Sequence, residues 1–170
     1  MGQQTSRRSI WWGGIALLAL VGLATVRAQA QPVLTVSGQV TKPLTLQAAD
    51  LKAMPHSDVS AKDKDGATHR YSGVSLFDLL KQAGTTLGGE LRGKNLTKYV
   101  LVKAGDGYEV VFALPELDPE FASRVILLAD SVDGKPLAPG IGPYRVIVPD
   151  EKKPARWIRD VKSIEVKAAN

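Results

Sequence analysis

The sequence predicts a single strand-rich domain of the α+β or mainly-β class, and three features support this prediction. Short runs of alternating or branched apolar residues recur along the chain, as in residues 99–104 and 108–113. Turn dipeptides such as Asp133-Gly134 separate several of these runs. Helical signals are few and short, so strands dominate the predicted architecture.

The first elements are a strand and a short helix. Residues 33–40 alternate well enough for a strand, with a bend at Gly38. Residues 47–54 predict a helix of one to two turns that stops at Pro55. Asp50 lies in its first turn, where a carboxylate suits the helix dipole.

The second helix has clear start and stop signals. Ser75 is a good N-cap, with Asp78 three residues later. Residues 76, 79, 80 and 83 share one apolar face at helical spacing, and Gly84 is a suitable residue for the helix end. Upstream, Asp65-Gly66 predicts the β-turn of a hairpin.

The middle of the chain predicts strands after a loop. Residues 85–94 contain three glycines and predict the loop. Gly105-Asp106-Gly107 predicts a tight hairpin turn, and Phe112 in its second strand is expected to pack inward. Residues 125–129 form a continuous apolar run, typical of a strand buried on both faces.

The C-terminal part begins with a Gly/Pro-rich turn at residues 140–143. Residues 144–148 predict a half-buried strand, and a charged loop follows at 150–155. A further strand is predicted to carry Trp157 and Ile158 inward, before a last alternating strand.

Residues 1–30 predict a cleaved export signal. Arg7 and Arg8 form a basic start, residues 15–26 are apolar, and Ala28-Gln29-Ala30 is an A-x-A cleavage site. The mature chain would begin at Gln31, lack a transmembrane segment, and be periplasmic or secreted. The Arg7-Arg8 pair also resembles a twin-arginine signal, although two basic residues are ordinary in this position.

The charge balance argues against nucleic acid as a partner. The whole chain carries a formal net charge of +5, from 22 basic and 17 acidic residues. Three basic residues and no acidic residue lie in the first 30 positions, so residues 31–170 carry only +2. A nucleic-acid-binding or polybasic membrane-binding surface therefore has little support.

No metal site is predicted. The two histidines, His56 and His69, could join a carboxylate in a zinc site only if the fold brings them together. The simpler interpretation is two surface histidines near turns. The chain contains no cysteine.

A basic cluster near the C terminus is the candidate binding site. The cluster consists of Arg145, Lys152, Lys153, Arg156 and Arg159, and such groups suit a phosphate or another small oxyanion. Of these, Arg145, Lys153 and Arg156 are the residues expected to bind it. Asp106 and Tyr108, in the preceding hairpin, are expected to form the opposite wall. The alternative is a solvated loop with a few ion pairs, and for Asp106 ordinary turn chemistry.

The order of motifs resembles the molybdopterin-binding domain of the sulfite oxidase family, including its small bacterial periplasmic members. The match covers nearly all of residues 33–166. The motifs that carry it include Tyr71-Ser72-Gly73 with Leu79-Leu80, Asp106-Gly107-Tyr108, Gly142-Pro143-Tyr144-Arg145, Arg156-Trp157 and Ile164-Glu165-Val166. The resemblance implies that family's α+β fold and makes molybdopterin, with a pterin phosphate at the basic cluster, the candidate cofactor.

One residue that the resemblance leads us to expect is missing. The family's enzymes ligate molybdenum through a cysteine, which would lie near Ala61 here, and no oxygen or amine ligand replaces a soft thiolate. The chain is therefore interpreted as a binding or accessory module for a small anionic ligand or a protein partner. The alternative is a molybdopterin-dependent oxidoreductase with an unusual ligand set and a periplasmic or membrane haem partner.

Overall fold

The computed structural model describes residues 1–2 and 33–169, so the predicted export signal lies almost entirely outside the described residues. Ten strands and three short helices follow one another along residues 33–169. They are β1 Leu34–Gly38, β2 Leu44–Leu46, α1 Ala48–Ala53, β3 Ser57–Lys62, β4 Thr68–Ser75, α2 Leu76–Gln82, β5 Lys98–Ala104, β6 Glu109–Ala113, α3 Leu114–Leu117, β7 Leu127–Val132, β8 Lys135–Pro136, β9 Arg145–Ile147 and β10 Val161–Ala168. The α+β, strand-rich class predicted from the sequence is confirmed.

The strands form two five-stranded sheets. The first has the order β2-β1-β10-β5-β6, in which β1 and β10 are parallel and the other pairs are antiparallel. The second has the order β3-β4-β7-β8, and β9 also pairs with β7. A single cluster of buried apolar side chains draws on both sheets and on α2. The last strand thus lies inside the first sheet, where it joins the two ends of the described domain.

The bend predicted at Gly38 is a close approach of two backbones. Gly38 has φ +90°, and a Cβ at this position would overlap the Val166 carbonyl of the parallel partner strand. Only glycine fits both conditions. The bend therefore fixes where β1 ends against β10.

The second helix follows its sequence signals closely. Ser75 Oγ accepts a hydrogen bond from the Asp78 backbone N–H at 3.0 Å, and Gly84 has φ +70° beyond the helix end. Leu76, Leu79 and Leu80 are buried. This helix follows directly from β4, whose start carries His69 and Tyr71, so its packing helps to hold the strand in place.

Two predictions in the C-terminal part need correction. Residues 144–148 are fully buried rather than half-buried, because β9 lies against β7 inside the core. Trp157 and Ile158 do not lie in a strand. Pro154 begins a 3₁₀ turn, Pro154–Arg156. Trp157 is nevertheless buried, and its indole N–H donates a hydrogen bond to the Val148 carbonyl at 3.0 Å.

The predicted loop at residues 85–94 also contains regular structure. Gly88 and Gly89 belong to a 3₁₀ turn, Gly88–Glu90, and Gly93 begins a second turn, Gly93–Thr97, that leads into β5. Asp118 Oδ2 accepts a hydrogen bond from the Gly88 N–H at 2.6 Å and ties the first turn to the chain after α3. The inward packing predicted for Phe112 is confirmed, since its side chain is fully buried.

Candidate functional site

A cavity of about 270 Å³ lies where the β5–β6 hairpin meets the loop that precedes β10. Asp106 and Tyr108 line it from the hairpin, and Ala155 and Arg159 line it from the loop. The Tyr108 hydroxyl donates a hydrogen bond to the Ala155 carbonyl at 3.0 Å, which connects the two walls. We call this space the hairpin–loop cavity; its walls include two of the five residues predicted from the sequence.

The hairpin turn positions Tyr108 at the rim of this cavity. Gly107 has φ +88°, and Asp106 Oδ1 accepts a hydrogen bond from the Tyr108 backbone N–H at 2.9 Å. The Asp106 carboxylate is therefore engaged by its own turn. Tyr108 is 52% exposed, so much of its ring remains accessible beside the cavity.

Two cations line the hairpin–loop cavity without a carboxylate partner. Lys64, from the β3–β4 turn, and Arg159, from the loop, are both exposed, and within residues 33–169 neither forms an ion pair. Asp106 is the anionic residue on the same walls. Two cations and one carboxylate give these walls a net positive charge, which favours an anionic ligand.

Arg145 does not take part in this cavity, and the predicted position of the anion between Arg145 and Arg156 is wrong. The Arg145 side chain is 4% exposed, and its guanidinium donates to Asp63 Oδ2 at 2.8 Å. It also lies over the Trp157 ring, 5.1 Å from the ring centroid. An arginine held this way in the core lacks a free face for an incoming anion.

Arg156 is held by carboxylates on both sides. It donates to Glu116 Oε1 at 2.9 Å, forms a second ion pair with Glu151, and donates to the Val111 carbonyl at 3.2 Å. Its guanidinium lies 4.5 Å from the centroid of the Phe112 ring. Burial acts against the charge, but the hydrogen bonds that Arg156 donates to Glu116 and Glu151 raise the pKa of its guanidinium. The residue fastens the loop to β6 and α3.

Lys153, the fifth predicted residue, is exposed at the residue before the 3₁₀ turn Pro154–Arg156. It does not line the hairpin–loop cavity. The structure therefore places Asp106 and Tyr108 beside this loop. The three basic residues do not form a common site, because Arg145 and Arg156 are held in ion pairs and Lys153 lies outside the cavity.

Asp63 is the centre of the buried polar cluster around Arg145. Besides the arginine, it accepts a hydrogen bond from the Tyr71 hydroxyl at 2.8 Å and from the Lys64 backbone N–H at 2.7 Å. Partial burial opposes ionisation, yet the Arg145 contact and these hydrogen bonds hold the pKa of Asp63 well below its usual range. We call Asp63, Tyr71, Arg145 and Trp157 the Arg145 cluster.

His69 lies between two carboxylates. Its Nδ1 is 2.7 Å from Asp133 Oδ2 and its Nε2 is 2.9 Å from Asp65 Oδ2. The hydrogen bonds to Asp133 and Asp65 raise the pKa of His69 from 6.5 to about 9. The imidazole is therefore cationic at neutral pH and donates from both nitrogens, so it has no lone pair for a metal.

The two histidines do not share a site. His56 contacts Asp130, with Nε2 2.9 Å from Oδ2, while His69 contacts Asp65 and Asp133. In the part of the chain that the structure describes, no group of three or more histidines and carboxylates is arranged to hold a metal ion. The zinc alternative considered from the sequence finds no support in this arrangement.

Lys64 and Asp63 were missed by sequence reasoning. Both lie in a charged turn, Asp63-Lys64-Asp65-Gly66, whose composition predicts only a β-turn. Asp63 and Arg145 are 82 residues apart in the sequence, so only the fold brings them together. Arg159 belongs to the C-terminal basic cluster, but nothing in its spacing distinguishes it from Arg156.

Comparison with known proteins identifies related sequences and folds. The profile of the family described as "Oxidoreductase molybdopterin binding domain" matches residues 23–170. Among solved structures, the sulfane dehydrogenase SoxCD from Paracoccus pantotrophus is similar, with a TM-score of 0.63 and 21% sequence identity over 80% of this chain. The match spans only 38% of the SoxCD chain. No curated protein sequence matches at a significant level. None of the helices in residues 33–169 has the length and apolar character needed to cross a bilayer.

Proposed function

This chain belongs to the oxidoreductase molybdopterin-binding domain family, and on that premise we propose that it is an exported accessory module. In this proposal it binds a small anion in the hairpin–loop cavity and does not ligate molybdenum through its own side chains. Tyr108 retains a binding role and Asp106 fixes the hairpin turn that carries it, whereas Lys64 and Arg159 replace Arg145, Lys153 and Arg156 as the cations. The observation that carries the proposal is the absence of a thiolate.

The residues present do not fit a molybdenum centre of the kind that the family resemblance implies. The chain contains no cysteine. Ala61, near the expected ligand position, is 5% exposed in β3 and lies opposite His69. Its neighbour two residues on, Asp63, is already bound to Arg145. A hard carboxylate held in an ion pair is a poor substitute for a soft thiolate.

The hairpin–loop cavity supports binding of an anion of limited size. Its volume of about 270 Å³ is below the usual range of sites for drug-sized ligands. Lys64 and Arg159 supply charge, and the half-exposed ring of Tyr108 offers a surface for a planar group. A pterin-like molecule or another aromatic anion has both features. The family resemblance adds the pterin phosphate as a candidate group.

A titration with phenyl phosphate and inorganic phosphate tests the anion site. We expect saturable binding of phenyl phosphate that weakens as salt rises, because the cations are exposed. Lys64→Gln and Arg159→Gln should each weaken binding about tenfold, the value of one charge-assisted hydrogen bond. Lys62→Gln, two residues from Lys64 in β3 and not lining the cavity, is the matched control. Equal affinity in all three variants would reject the site.

The ring of Tyr108 can be tested separately from the cations. Tyr108→Leu should reduce the preference for phenyl phosphate over inorganic phosphate, since leucine offers no π-face for stacking. Tyr108→Phe keeps the ring and loses only the hydrogen bond to Ala155, so it should keep that preference. If the leucine and phenylalanine variants bind alike, the ring does not contribute to recognition.

Export of the chain is a further part of the proposal. The Arg7-Arg8 start, the apolar stretch and the Ala28-Gln29-Ala30 site support cleavage before Gln31 and a periplasmic or secreted product. Intact mass spectrometry of the protein from its own host checks this. A mass corresponding to residues 31–170 is expected, and a mass that includes residues 1–30 would contradict cleavage.

A further inference from the structure

The outward face of the first sheet is polar at one end and apolar at the other. Its inward side chains belong to the core, so every second residue of each strand points outward. On β1 and β2 these outward residues carry hydroxyl groups, as is usual for a sheet face in water. On β5 and β6 four outward residues are apolar, namely Tyr99, Leu101, Val111 and Ala113.

The strand register gathers these four side chains into one block. Tyr99 lies opposite Ala113, and Leu101 lies opposite Val111. Val111 is 49% exposed, Ala113 is exposed, and the other two are half-buried. A contiguous apolar block of this kind on a sheet face indicates a contact surface more than a scattered single residue does.

An ion pair closes one end of the block. Lys103 on β5 lies opposite Glu109 on β6, with Nζ 3.0 Å from Oε1, and both side chains are partly exposed. We call this ion pair and the apolar block together the β5–β6 face. It has three rows of two residues, one charged and two apolar.

The face is more open to a partner than the neighbouring edge of the sheet. Arg156 donates to the Val111 carbonyl at 3.2 Å and is held there by Glu116. This contact covers the middle of β6, where a partner strand would have to pair. Packing against the outward side chains leaves Arg156 in place.

A second copy of the chain complements this face when a two-fold axis runs parallel to the strands, between β5 and β6. Such an axis lays β5 of each copy over β6 of the other and keeps the residues of each row together. Leu101 then faces Val111 of the second copy, and the large ring of Tyr99 faces the small side chain of Ala113.

The charged row is complementary under the same operation. Lys103 of each copy meets Glu109 of the other, so opposite charges face each other at both positions. A two-fold contact also pairs each face with its own equivalent, which limits the assembly to two copies.

We propose that the β5–β6 face is the contact surface of a homodimer in which two copies pack face to face. The four apolar and two charged side chains of each copy are far fewer than the roughly 20–30 residues of a standard interface, so the dimer is weak and reversible. The proposal does not depend on the anion site.

Complementary charge variants test the two-fold arrangement. Lys103→Glu places glutamate at both positions of the charged row, and Glu109→Lys places lysine at both. Sedimentation velocity should therefore show self-association at least about tenfold weaker in each variant. An equimolar mixture should associate again, because every lysine then meets a glutamate of the other copy. Both variants lose the internal ion pair, so mixing would not rescue a defect of folding.

The ion pair between Glu165 and Lys167, on β10 of the same sheet, supplies the matched control. Glu165→Lys and Lys167→Glu lie outside the β5–β6 face and should each associate like the unchanged protein. If the mixture of the Lys103 and Glu109 variants stays monomeric, the arrangement is wrong.

The apolar block is tested by Val111→Glu, which should abolish association. Thr45→Glu, at an exposed outward position of β2, is its control and should have no effect. Retained association in Val111→Glu would reject this face. An unchanged protein that is monomeric up to about 1 mM would overturn the proposal and leave the face to a different protein partner.

Discussion

The Arg145 cluster and the hairpin–loop cavity lie side by side, yet they use their charges in opposite ways. In the cluster, Arg145 is almost completely buried and faces Asp63, so its charge is neutralised within the protein. In the cavity, Lys64 and Arg159 are exposed and have no ion-pair partner within residues 33–169. An arginine in a recognisable sequence motif can therefore be a structural residue of the core, while cations outside that motif are available to bind a ligand.

The largest difference is expected when Asp63 loses its charge. Asp63→Asn leaves the buried Arg145 without a counter-charge, which should lower the free energy of unfolding by about 3–5 kcal/mol. Asp58→Asn is the matched control, because the Asp58–Arg70 pair is exposed and its loss should destabilise the protein far less. Urea unfolding monitored by tryptophan fluorescence gives both values. Similar values for the two variants would mean that the Arg145 cluster is not closed as described.

A smaller effect is expected at Arg156, which holds the loop side of the cavity. Arg156→Gln removes contacts with Glu116, Glu151 and the Phe112 ring, and should cost about 1–2 kcal/mol after allowance for partial exposure.

Arg124→Gln is the matched control for Arg156. Arg124 is equally exposed, at 30%, and also contacts Glu116, but its contact is a single ion pair. It should therefore cost less than half as much. A larger loss for Arg124→Gln in urea unfolding would contradict the fastening role assigned to Arg156.

His69 and Asp63 should contribute to stability in opposite pH ranges. The folded-state pKa of His69, about 9, lies above its usual value of 6.5. Its contribution to stability is therefore complete below pH 6.5 and is lost as pH rises through about 9. Asp63 acts in the opposite sense: its pKa is lowered, so its contribution is present above 3.8 and is lost as pH falls through its folded-state value.

Urea unfolding between pH 6 and pH 10 checks the His69 contribution. The difference in stability between the unchanged protein and His69→Gln should shrink across this range, because the charge of the imidazole is lost. A difference that stays constant or grows would show that His69 is not held as a cation between Asp65 and Asp133.

The smallest effect on stability is expected for the cavity cations. Lys64→Gln and Arg159→Gln remove exposed charges without ion-pair partners in the described chain, so each should change the free energy of unfolding by less than about 0.5 kcal/mol. The same variants should still weaken binding of phenyl phosphate. A large loss of stability in either variant would place that residue in a structural role like that of Arg145.

Much of the fold follows from local sequence signals. The Gly105-Asp106-Gly107 turn, the Ser75 N-cap and the Gly38 bend each have a short-range physical cause, and each is confirmed. The strand predicted at Trp157 is wrong because Pro154 starts a turn and the segment does not join either sheet. Backbone propensity alone does not show whether a partner strand is available.

The site was predicted less well, for a physical reason. A basic cluster in the sequence identifies charges but not their partners. Arg145 pairs with Asp63, which is 82 residues away in the sequence, and Arg156 pairs with Glu116, which is 40 residues away. Those pairings are set by packing of the two sheets and decide which cations remain free. Asp106 and Tyr108 line the hairpin–loop cavity because a turn places its own side chains locally, and their role in binding stays a prediction.

The molybdenum content of the protein purified from its own host tests the central claim most directly. The claim is that the family fold is retained while the position near Ala61 no longer supplies a metal ligand, since no thiolate is present. Elemental analysis should find far less than one molybdenum per chain in protein that still binds phenyl phosphate. Near-stoichiometric molybdenum that remains bound through purification would contradict the account and support a molybdopterin-dependent oxidoreductase with an unusual ligand set.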